Sequence, residues 1–221
     1  MATIEQTGTE VAEAPPATPA PAPRHDDHGG HGNSAMLTNG KLAMWLFLAS
    51  DCLFFGAFIS AYLLYRGRPQ TGPTPKELFN IPFTSATSFI LLMSSMAMVL
   101  ALAAIQRGDH RRFRLWTLAT ALFGATFIAG QIFEFTEFYR EGLKLDTNLF
   151  GSTFYVLTGF HGAHVTLGII WLLSLWGMSM QGRLGTEKSE SVEIAGLYWH
   201  FVDVVWIVIF TVIYLMPQPG K

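Results

Sequence analysis

The chain has 221 residues, half of them hydrophobic and 18 of them Phe, with 14 % charged residues and a formal net charge of −2. A soluble domain carries closer to ~25 % charged residues, and the missing basic excess excludes a broad nucleic-acid surface. The single cysteine, Cys52, excludes an internal disulfide, a cysteine-rich metal site and a copper centre built on a cysteine pair.

Residues 1–38 come first and read differently from everything after them. EVAEAPPATPAPAPRHDDHGGHGNSA is rich in Pro and Ala and contains no apolar run of the signal-peptide kind. It buries too little surface to offset its ordering entropy, so it is expected as a disordered cytoplasmic tail. His25, Asp26, Asp27, His28 and His31 could hold a divalent metal weakly; the plainer reading is a solvated polar tail.

From 39 to 217 the pattern predicts an all-α polytopic membrane domain, followed by a short external tail at 218–221. Five apolar runs, at about 41–65, 83–105, 114–138, 150–178 and 194–216, each reach the ~20 residues that cross ~30 Å of hydrocarbon as a helix. Strands would need strict alternation, which these runs lack. The first connection, RGRPQTGPTPKELFNIP (66–82), has four prolines and is expected as an extended loop. QRGDHRRFR (106–114) is expected as a tight turn, and 140–148 and 178–193 as polar connections.

Lys and Arg near the membrane ends number eight on the side of the tail and six on the other. The arginines Arg107, Arg111, Arg112 and Arg114, close together in one short connection, strengthen that bias and predict a cytoplasmic N-terminus and an external C-terminus.

Asp51, Glu134, Glu137, His161, His164, His200 and Asp203 fall inside the runs. A charge at mid-membrane costs ~2.5–3.5 kcal/mol even on the lenient insertion scale, so such groups should face the bundle interior, pair, or stay neutral. Glu134 and Glu137, His161 and His164, and His200 and Asp203 are each three residues apart and share a helix face. Counting depth along each helix predicts an outer cluster of Glu134 with His161 and an inner one of His164 with His200 or Asp203. A di-metal centre would call for Glu-x-x-His pairs, and none occurs within a run. A structural hydrogen-bond network is therefore expected, with no catalytic, cofactor-binding or metal-binding residue in the chain. Gly159, Gly162, Ala163, Gly168, Gly124, Ala125, Gly130, Ser94 and Ser95 are read as small residues for close helix approach. Trp45, Tyr62, Tyr65, Trp116, Tyr139, Tyr198 and Tyr214 are read as an interfacial aromatic belt.

MWLFLASDCLFFGAFISAYL, QIFEFTEF, GSTFYVLTGFHGAHVTLG and YWHFVDVVWIVIFTVIYL, in this order on separate predicted helices, closely resemble subunit III of the haem–copper terminal oxidases. The likeness covers about 41–216 and is to the five-helix bacterial forms. It implies a non-catalytic subunit of a proton-pumping cytochrome c or quinol oxidase, with the donor and haem type set elsewhere. It also implies packing against subunit I as the main contact, association with subunit II and smaller subunits, bound phospholipid, and haem and copper held by the partners. A respiratory supercomplex and a bacterial plasma-membrane location fit the same resemblance. Asp51 stands where the family usually has Glu; with Phe47, Phe54, Phe55 and Phe58 near it in sequence, it is expected as a neutral carboxyl lining a lipid or oxygen route. The alternative functions are a standalone membrane metalloenzyme and a proton-coupled transporter that uses the Glu, His and Asp pairs.

Overall fold

The computed structural model describes residues 38–65, 80–143, 149–184 and 189–216. The histidine-rich part of the predicted tail, most of the proline-rich loop and the last residues lie outside the described residues. Among the described residues five helices follow one another: α1 (Asn39–Tyr65), α2 (Ile81–Gln106), α3 (His110–Arg140), α4 (Leu149–Met180) and α5 (Ser189–Phe210), the last continued by one π-helical turn, Thr211–Leu215. All five are long and apolar enough to cross a membrane, as the sequence predicts.

The ends differ from the predicted ones because polar turns are helical too. Asp109 accepts the Arg112 amide at 3.0 Å, so α3 begins at His110. The predicted turn over 106–114 therefore shrinks to a short link around Gly108, and Arg111, Arg112 and Arg114 belong to the first turns of α3. At the start of α5, Glu190 and Glu193 form helix rather than loop, a favourable place for carboxylates. Gly108, Gly142 and Gly182 have φ of 74°, 91° and 68°, the left-handed residue that ends a helix. Beyond them the Asp109, Leu143 and Arg183 amides reach back to the Ala104, Phe138 and Met178 carbonyls at 3.0, 2.9 and 3.0 Å. The first turn of α2 is fixed by Asn80, whose side chain accepts the Phe83 amide at 3.2 Å.

Successive helices run in opposite directions. At the end where α1, α3 and α5 start, Lys41 pairs with Glu193 at 2.8 Å and Thr38 bonds Glu190. There too the Arg114 guanidinium donates to the Ser179 hydroxyl and carbonyl at 3.1 and 2.7 Å. α2 and α3 pack along each other, α5 lies against α2 and α4, and α1 rests chiefly on α4 and α5. Of the apolar span of α5, 56 % is buried, against 17 % for α1. Exposed hydroxyls such as Ser60, Thr126, Thr136, Thr166, Ser174 and Thr211 donate to the carbonyl one turn back. No polar hydrogen of theirs faces lipid unsatisfied.

The core is organised by Trp199, 1 % exposed. A Cβ added to Gly124 of α3 would lie 2.6 Å from its Cη2, and one added to Gly168 of α4 would lie 2.8 Å from its Cζ3. The indole fills the space that two glycines leave. Of the other small residues, Gly130 gives room to Thr87 at 2.8 Å and Gly162 to the Gln131 amide at 2.7 Å, whereas Gly159 has nothing within 4 Å. Adding side-chain volume here should cost ~1–3 kcal/mol. Gly124→Val and Gly168→Val are each expected to lower unfolding stability in mixed micelles by about that much. Gly56→Ala, where a Cβ meets nothing within 4 Å, is expected to stay within about 0.5 kcal/mol.

Candidate functional site: polar groups inside the membrane span

α5 carries most of the polar contacts between helices. The Trp199 indole N–H donates to Ser94 Oγ at 2.9 Å, and Ser94 in turn donates to the Leu91 carbonyl at 2.5 Å. Seven residues on, the Trp206 N–H donates to Ser88 Oγ at 2.8 Å, and Ser88 donates to the Thr84 carbonyl at 2.6 Å. The logic is the same in both. The serine spends its proton on its own helix and keeps its lone pairs for the indole. Tyr198 reaches the His164 carbonyl on α4 at 2.9 Å.

The π turn at the end of α5 brings Tyr214 to Glu134. The tyrosine hydroxyl donates to Glu134 Oε2 at 3.2 Å, and Thr84 donates to Oε1 at 2.5 Å. Glu134 thus joins α2, α3 and α5, and not His161 as predicted. His161 is fully buried and its two ring nitrogens make no hydrogen bond among the described residues. It serves as an aromatic plate, stacked on Trp206 at 4.9 Å and 25° and met edge-on by Phe127 at 5.8 Å.

The predicted inner cluster is also corrected. His164 pairs with neither His200 nor Asp203. Its Nε2 faces Asp51 Oδ2 of α1 at 3.4 Å, while Nδ1 donates to the Phe160 carbonyl at 2.7 Å. A carbonyl only accepts, so Nδ1 holds a proton. The Nε2–Oδ2 contact is close, but Asp51 Oδ2 makes no well-formed hydrogen bond among the described residues. Phe55 meets the His164 ring at 5.1 Å and Phe54 lies 6.4 Å from it, and Phe54 in turn packs on Phe58 and Phe160 at 4.7 and 5.2 Å. Phe47 instead lies over Tyr198 at 6.3 Å.

His200 bonds Ser95 of α2, Nδ1 to Oγ 2.5 Å. Asp203 is buried beside the same serine, and neither of its oxygens makes a well-formed hydrogen bond among the described residues. Glu137, the predicted companion of Glu134, is exposed.

The aromatic belt divides. Trp45 and Tyr139 are 51 % and 61 % exposed, but Tyr62, Tyr198 and Tyr214 are interior. Ser88, Ser94, Trp199, Trp206, Thr84 and Gln131 were not singled out from the sequence as hydrogen-bonding partners. The signal was present: two tryptophans seven apart in one span, whose N–H groups need acceptors that lipid does not offer. Gln131 likewise donates to the Thr158 carbonyl at 2.6 Å. Among the described residues no three His, Cys, Asp or Glu side chains converge as a metal-binding group.

A model of the family described as "Cytochrome c oxidase subunit III" matches residues 24–218. The chain is 38 % identical over 182 residues to cytochrome c oxidase subunit 3 of Bacillus sp. strain PS3, covering 82 % of this chain and 88 % of that one. It is 36 % identical over 202 residues to quinol oxidase subunit 3 of Bacillus subtilis strain 168, covering 88 % and 99 %. To cytochrome c oxidase subunit 3 of Thermostichus vulcanus it is 40 % identical over 181 residues, covering 80 % and 87 %.

If the indole–serine bonds fasten the helices, Ser88→Ala and Ser94→Ala should each cost ~0.6–1.7 kcal/mol, from the average to the maximum found for interhelical hydrogen bonds in a membrane protein. A double-mutant cycle of Ser88→Ala with Trp206→Phe is expected to show a coupling in that range, and a cycle of Ser88→Ala with Ser174→Ala none.

Proposed function

The chain belongs to the cytochrome c oxidase subunit III family, and from that premise we propose that it is a non-catalytic wall of the oxidase. In this reading it packs against subunit I, holds lipid, and supports sustained oxygen reduction and proton uptake. The family and the five spans make the chain a multi-pass subunit of a haem–copper oxidase complex of the bacterial plasma membrane.

The observation that carries the proposal is where the polar side chains are used. Trp199, Trp206, Tyr198, Tyr214, Glu134 and Gln131 spend their hydrogen bonds on neighbouring helices. That is the chemistry of holding a scaffold together. Haem and copper belong, in this reading, to the partner subunits, where they bind and reduce oxygen. Relatives named for cytochrome c and for quinol match about equally, at 38 % and 36 %, which supports placing the choice of donor on another chain. The arginines at the α2–α3 link support a cytoplasmic N-terminus.

Asp51 and His164 are assigned a lining role. The pair lies against phenylalanines on α1, the least buried helix, where lipid tails or dissolved oxygen meet an apolar surface interrupted by one polar contact.

Two experiments test these assignments. The native complex, purified through this chain, is expected to contain haem and copper, and the separated chain neither. Iron or manganese held tightly by the separated chain, or a complex without haem, overturns the scaffold reading. Asp51→Asn is expected to shorten the lifetime of the enzyme during turnover without changing its initial rate. An unchanged lifetime together with an unchanged oxygen affinity reduces Asp51 to a packing residue.

A further inference from the structure

One polar group at the surface of the bundle is left unmatched inside the hydrocarbon span. His200 bonds Ser95 through Nδ1, and Ser95 lies between it and the Asp203 carboxyl. Its other nitrogen, Nε2, makes no hydrogen bond among the described residues, and unlike the nitrogens of His161 it is not sealed inside the bundle. Whichever way Ser95 turns its proton, Nε2 is left as a bare lone pair or a bare N–H. The residue stands ~9 Å into the apolar run that begins at about 194, at ~1.5 Å per residue, well inside a ~30 Å hydrocarbon layer.

Lipid chains can neither donate nor accept a hydrogen bond, so such a nitrogen should be covered by protein. Other exposed polar groups avoid the difficulty by turning back on their own helix, as the hydroxyls of Thr166 and Ser174 do. His164 shows that an imidazole can do this as well, through the Phe160 carbonyl. His200 instead points its bonded nitrogen at α2 and leaves the free one at the α2–α5 seam. Around it the surface is apolar, with Met96 and Phe89 on α2 61 % and 63 % exposed, and Val204 on α5 56 % exposed.

We propose that this α2–α5 face is the one covered in the assembled oxidase by a transmembrane helix of a neighbouring subunit, which presents a hydrogen-bonding group at the level of His200. The occupant is a helix of another chain, because its chemistry must be apolar along its length and polar at one depth. The assignment rests on the oxidase-subunit reading and adds to it the face and the contact.

The test uses the full chain expressed with its native complex. Met96, Val204 and, for comparison, Leu122 on α3 are replaced singly by the photoreactive p-benzoylphenylalanine, and the adducts are identified by mass spectrometry. The yield of adduct with another subunit is expected to be at least about fivefold higher at Met96 and Val204 than at Leu122, the scale of ~1 kcal/mol of preference. An equal or lower yield, lipid adducts alone, or adducts with a second copy of this chain overturn the proposal. In parallel, His200→Phe is expected to reduce the amount of this chain retained by the haem-bearing subunits about fivefold, and His200→Gln to retain most of it. Full retention of the Phe variant overturns the polar contact, and so does loss of the Gln variant along with it. A parent complex lacking haem defeats the oxidase reading itself; a haem-bearing complex with the wrong adducts defeats only the face.

Discussion

Inside a bilayer an N–H or O–H group has no solvent to fall back on, and that constraint shapes the arrangement around α5. Its two tryptophans are each a large apolar plate with one donor, and each needs both a slot and an acceptor. Glycines of α3 and α4 supply the slot for Trp199, and serines of α2 supply the acceptors for both. Two side chains thereby fix the spacing of four helices. Association in lipid has little hydrophobic drive of its own, so close packing and shielded hydrogen bonds must do the holding.

The five spans were legible because crossing hydrocarbon demands a length and an apolarity that a sequence displays openly. Their ends were less so. The criterion was apolarity, while the first turns of α3 and α5 are made by Arg and Glu that face water or charged neighbours. Polar partnerships were read least well. Counting residues gives depth, but partnership also depends on how each helix is rotated and which helices are adjacent. Glu134 and His161 share neither a face nor a bond, and His164 turns to α1, whose Asp51 had been considered by itself. Tyr214 looked interfacial by position, yet the π turn directs it inward.

Apart from His161 and Asp203, which are buried without a well-formed hydrogen bond among the described residues, two groups of polar side chains in the membrane span stand out. Glu134, Ser88, Ser94 and Gln131 are enclosed and bond within the chain. Asp51 with His164, and Ser95 with His200, lie nearer the edges of the bundle, on different helix pairs. The first group joins the helices of the bundle to one another.

The placement of α1 has a consequence for biogenesis. Among the five described helices it is made first, yet the helices it rests on, α4 and α5, are made last. During synthesis it must wait as a solitary span, with Asp51 lacking the imidazole that later faces it and Lys41 lacking Glu193. Its most apolar window, of mean hydropathy 2.0, suffices to hold it in the bilayer meanwhile.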